Sequence, residues 1–248
     1  AKKDPIKNYE RFLLKEKILS KDSIKKTRNK IAKEIDKDWK DANSLPEVIF
    51  NQEKELLDVF KNHKAVIEIN NSNSSENIRF VDSIKDGIDE AMEEHDNLVI
   101  MGQDIAEYGG VFKITEGLIH KYGKNRVFNT PLCESSILSA SYGMSIGGFK
   151  TIVEMQFSDF ISSGFTAIVN LIAKSNYRWS QNADIVVRMP CGGWVGAGPF
   201  HSQTNELWFS KVPGIKIVYP SFPYDAKGLL HSSIDDPNPV LFFEHKNL

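Results

Sequence analysis

Three consecutive stretches decide the fold: Arg126-Val127-Phe128-Asn129, then Glu134-Ser135-Ser136-Ile137-Leu138-Ser139-Ala140-Ser141-Tyr142-Gly143-Met144-Ser145, then Thr151-Ile152-Val153-Glu154-Met155-Gln156. The outer two read as short strands, and the small residues between them read as a helix. A strand, a helix and a second strand within about 30 residues make a βαβ unit, whose crossover demands parallel pairing.

The same alternation extends both ways. Upstream, Val81, Ile84, Ile88 and Ala91-Met92 form one helix face before the strand Leu98-Val99-Ile100-Met101, and a helix is expected around Glu116–Tyr122. Downstream, a long helix through Ala167–Ala173 leads to a strand at Asp184–Met189. A helix near Gln203–Phe209 precedes the strand Ile215–Tyr219, and the helix Tyr224–Ile234 precedes the strand Val240–Glu244. Strands separated by helices imply an α/β fold, a doubly wound parallel sheet covered on both faces. No repeat of solenoid period interrupts the pattern.

The first part of the chain differs. All sixteen glycines lie at or after Gly87, and residues 1–64 carry 17 basic against 12 acidic groups while the rest carries 14 against 21. Ile6, Tyr9, Phe12 and Leu13 sit at helical spacing, and Ser20 offers a cap. Ile24, Ile31, Ile35 and Trp39 repeat along a second helix that Leu45-Pro46 ends, and Leu56, Leu57 and Phe60 mark a third segment. These features predict a helical arm over 1–63, amphipathic and suited to docking on another surface. Interleaved acidic residues argue against a basic membrane-surface helix. Residues 64–77 read as a linker, since Asn70–Asn77 holds no apolar side chain. The remainder, 78–248, is the α/β domain.

Composition narrows the function. A net charge of −2 gives no bulk reason to expect nucleic acid. No apolar run approaches the ~20 residues of a membrane-crossing helix, and no secretory leader is visible. Two cysteines, Cys133 and Cys191, form no disulfide framework, which favours a reducing setting. The chain starts without Met and reads as a processed or excised piece.

In a doubly wound sheet, ligands bind beyond the carboxyl ends of the strands. That rule selects Asn129–Glu134 and the loop Cys191–Gln203. Taken alone, Glu134 is a first-turn carboxylate favoured by its helix dipole. Its apolar and uncharged neighbours also suit a group retained to bind or move a proton. His201 follows four glycines within Gly192–Gly198, where backbone can approach a ligand closely. It also reads as an incidental His on a surface loop. Gly196-Ala197-Gly198-Pro199-Phe200-His201 lacks the third glycine of a dinucleotide fingerprint, and no Walker loop or zinc-type histidine spacing occurs. Gly143-Met144-Ser145-Ile146-Gly147 fits the hydrolase elbow pattern, but a strand should precede its serine and a helix does. A serine hydrolase using Ser145 is the alternative enzyme reading.

The sequence is identified through the order of its motifs. Arg126–Glu134, Glu154-Met155-Gln156-Phe157-Ser158-Asp159-Phe160, His201-Ser202-Gln203, Pro213–Val218, Tyr224–Leu230, Asp236-Pro237-Asn238-Pro239 and Phe242-Phe243-Glu244 follow one another. Over about residues 78–248 they resemble the β subunit of thiamine-diphosphate-dependent 2-oxoacid dehydrogenases. The wording is nearest the branched-chain (2-oxoisovalerate) enzymes, with pyruvate dehydrogenases next. Asp4-Pro5-Ile6 through Phe60 resembles the C-terminal tail of the family's α subunit, which implies an α–β fusion.

The resemblance implies the thiamine-diphosphate-binding fold, pyrimidine domain, and a decarboxylation that passes an acyl group to lipoyl. It implies that Glu134 acts on the aminopyrimidine and that Leu132 offers backbone to its amino group. Gln156 and Phe160 would line the ring pocket, and His201 would serve acyl transfer as a second catalytic group. Phe160 and Phe200 stand where some relatives have Tyr, so hydroxyl roles there are lost. Thiamine diphosphate is the implied cofactor, with magnesium held by an α-type half that has no counterpart in this sequence. A potassium site is implied at Ile185, Ser233, Ile234, Asp236 and Asn238, although Asp236–Pro239 also reads as a plain turn. The implied partners are that α-type half, a lipoyl acyltransferase, a small 2-oxoacid and further copies of the fused chain, with no nucleic acid or membrane. A bacterial cytoplasm or mitochondrial matrix is the implied location.

Overall fold

The computed structural model describes residues 3–64 and 77–248, so the expected linker at 64–77 lies almost wholly outside the described residues. The chain divides into two compact units, Ala1–Asn51 and Gln52–Leu248.

The first unit is two helices with explicit start signals. α1 (Pro5–Lys15) begins with proline in its first turn, and Asp4 accepts a hydrogen bond from the Lys7 amide at 3.0 Å. α2 (Lys21–Ser44) begins with a capping box. Ser20 and Ser23 exchange backbone-to-hydroxyl bonds of 3.0 and 3.1 Å. A bidentate pair between Arg28 and Glu10, at 2.9 and 2.8 Å, ties the two helices together. The expected apolar stripe of α2 is present and outward: Ile31, Ile35 and Trp39 are exposed.

The division of units falls at 51/52 rather than at 63/64. α3 (Gln52–Asp58) packs with the second unit, where Tyr177 donates to Glu55, and Asn176 donates to the Asp58 carbonyl at 2.8 Å. Lys61 exchanges backbone bonds of 2.7 and 2.9 Å with the Asn238 side chain.

The rest of the second unit is α4 (Phe80–Glu94), β1 (Leu98–Gly102), α5 (Leu118–Tyr122), β2 (Val127–Asn129), α6 (Glu134–Ile146), β3 (Lys150–Glu154), α7 (Ser175–Trp179), β4 (Ile185–Cys191), β5 (Lys216–Val218), α8 (Pro223–Asp235) and β6 (Val240–His245). The six strands form one sheet in the order β2-β1-β3-β4-β6-β5, every pair parallel. Strand alternation then sorts two cores. Ile100, Ile152, Val186 and Phe242 face a layer with Ile84 and Ile88 of α4 and Leu230 of α8. Met101, Val153, Val187 and Phe243 face Leu138 of α6 and Ile168 and Ile172. This is the expected α/β fold.

Two elements differ from expectation. The helix through Ala167–Ala173 is a broken spiral: a 3-10 stretch over Ser158–Gly164, a wider π turn over Ala167–Leu171 and a 3-10 turn over Ile172–Lys174. β-Branched Ile168, Val169 and Ile172 favour regular α pitch weakly, and core burial sets their placement. A close approach also fixes this segment. Gly214 at φ +93° lies so near that a Cβ would fall 1.8 Å from the Ala173 carbonyl oxygen. The expected helix at Gln203–Phe209 shrinks to one 3-10 turn, Glu206–Trp208. The Gln203 amide bonds a side-chain carboxylate there instead of entering a helical ladder.

Candidate active site

β1, β2, β3 and β4 all end on the same edge of the sheet, and the segments that follow them bring the candidate residues together. Glu134 opens α6 just beyond β2. Its carboxylate accepts from Gln103 Nε2 at 3.3 Å through Oε1, and from Ser163 Oγ at 3.1 Å through Oε2. Gln103 follows β1 directly and is buried, whereas Glu134 is half-buried. The helix start supplies a further favourable field for the anion. Leu132, two residues earlier, is 79% exposed.

Ser163 connects this carboxylate to the next group, because its hydroxyl also lies 2.8 Å from the Phe160 carbonyl. The Phe160 ring meets the His201 imidazole edge-on at 5.3 Å, and Phe157 meets it likewise at 4.8 Å. Lys246 Nζ donates to the His201 carbonyl at 2.5 Å and sits 4.9 Å from the Phe157 ring centre. Burial pushes this ammonium below its ordinary range, against the nearby Asp159. His201 Nδ1 is buried and meets no protein partner among the described residues. Gln156 turns toward the β1 end, where its Nε2 lies 3.5 Å from Asp104 Oδ2. Glu134, Phe160 and His201 thus form one linked wall, with Gln156 and Leu132 at its margins.

A charged triad joins β3, β4 and β6. Arg188 is fully buried and donates to Glu244 at 2.8 and 2.7 Å and to Glu154 at 2.6 Å. Burial pushes both carboxyls up while Arg188 pulls them down. Gly110, at φ +77°, lets the chain cross above Glu154, since a Cβ there would lie 3.0 Å from Oε1.

The potassium set is elsewhere. Asp236 and Asn238 precede β6, and Lys216 and Lys150 begin β5 and β3, so this cluster occupies the opposite edge of the sheet. Two of its oxygens have cationic partners. The Ile234 carbonyl accepts from Lys150 Nζ at 2.8 Å, and Asp236 binds Lys216. Asp236 Oδ1 takes the Asn238 amide and side chain at 2.9 and 2.7 Å, and Ser233 donates to the Leu229 carbonyl. Ile185 is a core residue of β4. Lysine ammoniums thus meet two of these five residues.

Ser145 is not a nucleophile elbow. It lies inside α6, buried, and its Oγ accepts from the Asp184 amide at 2.7 Å. Gln103, Ser163 and Lys246 carry no signal in the sequence analysis, and Asp159 stands there only inside the Glu154–Phe160 motif, without a role of its own. Gln103 was within reach of the carboxyl-end rule, since it immediately follows the strand Leu98–Met101.

The fold and this wall define a pyrimidine-binding domain of the transketolase type, and the chain belongs to that family. It matches the family description "Transketolase, pyrimidine binding domain" over residues 76–248. Its sequence relatives are β subunits of 2-oxoacid dehydrogenases. It is 46% identical over 171 residues to "2-oxoisovalerate dehydrogenase subunit beta" of Bacillus subtilis, covering 67% of this chain and 52% of that one. It is 44% identical over 173 residues to "Pyruvate dehydrogenase E1 component subunit beta" of Acholeplasma laidlawii, covering 69% and 53%. The chain spans about half the length of the curated relatives it matches. Among solved structures, "Split gene transketolase, inactive beta4 tetramer" is similar at TM-score 0.56 and 16% identity, covering 68% of this chain and 52% of that one. That likeness bears on the fold.

The residues of this wall suit the aminopyrimidine end of thiamine diphosphate. A hydrogen-bonded carboxylate, a wall of Phe160 and Phe157, and an unpaired His201 Nδ1 suit a flat aminopyrimidine. No group of three His, Cys, Asp or Glu side chains able to hold a metal ion exists among the described residues.

Proposed function

We propose that this chain supplies the aminopyrimidine half of a thiamine diphosphate site in a 2-oxoacid dehydrogenase, acting on a branched-chain 2-oxoacid of the 2-oxoisovalerate type. The observation that carries the reading is the Glu134 carboxylate, held by Gln103 and Ser163 at the carboxyl edge of the sheet. When bound, the cofactor would supply a thiazolium ring whose carbon adds to the 2-oxo group and whose cationic nitrogen takes up the electrons released as carbon dioxide leaves. Glu134 holds and returns a proton at the aminopyrimidine ring nitrogen, with its two oxygens oriented by the amide and the hydroxyl. Phe160 and Phe157 keep water from the ring. Leu132 presents backbone to the exocyclic amino group, and Gln156 borders the pocket. His201 serves the passage of the acyl group to lipoyl, whose disulfide opens and takes up two electrons as one sulfur receives the acyl group and the other a proton.

The diphosphate and its magnesium belong to an α-type half. The helices before residue 63 are the tail of such a half, joined through 64–77, so the enzyme is an assembly of fused chains that feeds a lipoyl acyltransferase. A second reading, pyruvate as substrate, is favoured by the Acholeplasma laidlawii relative.

The experiment uses the holoenzyme with thiamine diphosphate and magnesium, and follows decarboxylation of 2-oxoisovalerate and pyruvate with an artificial electron acceptor. Glu134→Gln should lower the rate by about 10²- to 10⁴-fold with the melting temperature retained. Full activity in that variant would make Glu134 a helix-end carboxylate only and overturn the proposal.

A further inference from the structure

His201 follows a segment poorly suited to fixing a ring. Gly192, Gly196 and Gly198 all adopt positive φ, and nothing within 4 Å crowds Gly196 or Gly198. Ordering so permissive a loop has to come from contacts outside it.

Those contacts converge from two elements. Asp159, buried in the first turn of the 3-10 stretch Ser158–Gly164, accepts three hydrogen bonds on the single oxygen Oδ1. They come from the Ser202 amide at 3.2 Å, the Gln203 amide at 3.2 Å and Gln203 Nε2 at 2.9 Å. On the residue before, Lys246 grips the His201 carbonyl at 2.5 Å from just past β6. An anion therefore holds the two amides after His201, and a cation holds its carbonyl. Charge-assisted bonds of this kind are the stronger ones. Asp159 also directly precedes Phe160, whose ring meets the imidazole at 5.3 Å. One turn thus supplies both the backbone anchor and a ring contact. The second oxygen, Oδ2, is buried with no protein partner among the described residues. Burial alone does not reward such an arrangement.

We propose that Asp159 and Lys246 are positioning residues that set the His201 imidazole for acyl transfer to lipoyl, whose disulfide is reduced as one sulfur takes the acyl group and the other takes a proton; this rests on the role given to His201 above. Neither acts on the reacting atoms. Asp159 works through the amides of Ser202 and Gln203, and Lys246 through the His201 carbonyl.

The test has two arms. In the chain without cofactor, amide hydrogen exchange at Ser202 and Gln203 should quicken about tenfold in Asp159→Asn, which keeps the volume and removes the charge. In the holoenzyme, the ratio of lipoyl acylation to decarboxylation with an artificial acceptor should fall about 10- to 100-fold in Asp159→Asn and in Lys246→Met, as in His201→Ala. A general loss of structure would lower both half-reactions together and leave that ratio alone. If His201→Ala lowers the ratio while Asp159→Asn leaves both exchange and ratio unchanged, the positioning role is overturned and the function stands. If His201→Ala leaves the ratio unchanged, the role of His201 falls and this inference with it. Should Asp159→Asn fail to fold, the ratio in Lys246→Met decides.

Discussion

Arg188 and Glu244 lie on adjacent parallel strands and join through two bonds, Nε to Oε1 at 2.8 Å and Nη2 to Oε2 at 2.7 Å, with both side chains inside the sheet. The remaining arm reaches Glu154 at 2.6 Å. Arg188→Met would strand two buried carboxylates, at a cost of about 3–5 kcal/mol at neutral pH. Burial raises both carboxyl pKa values. A carboxyl whose folded pKa is raised loses stability as pH climbs from its unfolded value of about 4.3 to the higher folded one. The variant should therefore be more strongly destabilised at pH 8 than at pH 5 in urea titrations, and an equal loss at both would count against the triad as drawn.

Asp236 gives the opposite sign. Burial opposes its ionisation, but hydrogen bonds from Lys216 and Asn238 outweigh burial and hold the carboxyl below its ordinary range. Its contribution is complete above the unfolded value of about 3.9 and disappears as pH falls through the lower folded one. Asp236→Asn should be less stable than the parent at pH 7. The gap should close below about pH 4, as read from melting temperatures across that range.

The two thiols should separate cleanly. Cys191 is buried, and burial pushes its thiol up to about 11, against a hydrogen bond to Tyr219 that pulls it down. Cys133 is exposed, and its bonds with Ser136 hold it below the usual thiol range. An aromatic disulfide reagent at pH 8 should titrate one thiol at least about 100-fold faster than the other. Cys191 should respond only on unfolding.

Ser145→Ala should cost about 1–2 kcal/mol, since the half-buried Asp184 amide loses its acceptor. Neither parent nor variant should take up a fluorophosphonate. Labelling of Ser145 would revive the hydrolase reading.

The sheet was legible because its signal is local. β1, β3, β4 and β6 each carry apolar runs bounded by turn residues, and their observed limits lie within about two residues of those read from the sequence. The 158–174 spiral was not legible, because its pitch answers to the approach of Gly214 against Ala173, some forty residues downstream in the chain. Glu134 and His201 stood out as polar groups at strand ends. Asp159 did not, since a lone Asp in a Ser-Asp-Phe run says nothing of the three N–H groups it will face. Gln103 and Ser163 share that fate: their roles arise from pairings across 31 and 29 residues.

Lys150 bridges the Asp184 carboxylate at 3.0 Å and the Ile234 carbonyl at 2.8 Å, with only 15% of its side chain exposed. That carbonyl is among the last of α8, where a helix leaves acceptors without internal donors. A tethered charge therefore finishes α8 and fastens it to the starts of β3 and β4. Because the bridge is largely shielded from bulk electrolyte, added salt has little purchase on it. This edge of the sheet should keep its cohesion from dilute buffer to molar salt, whichever counterion is supplied.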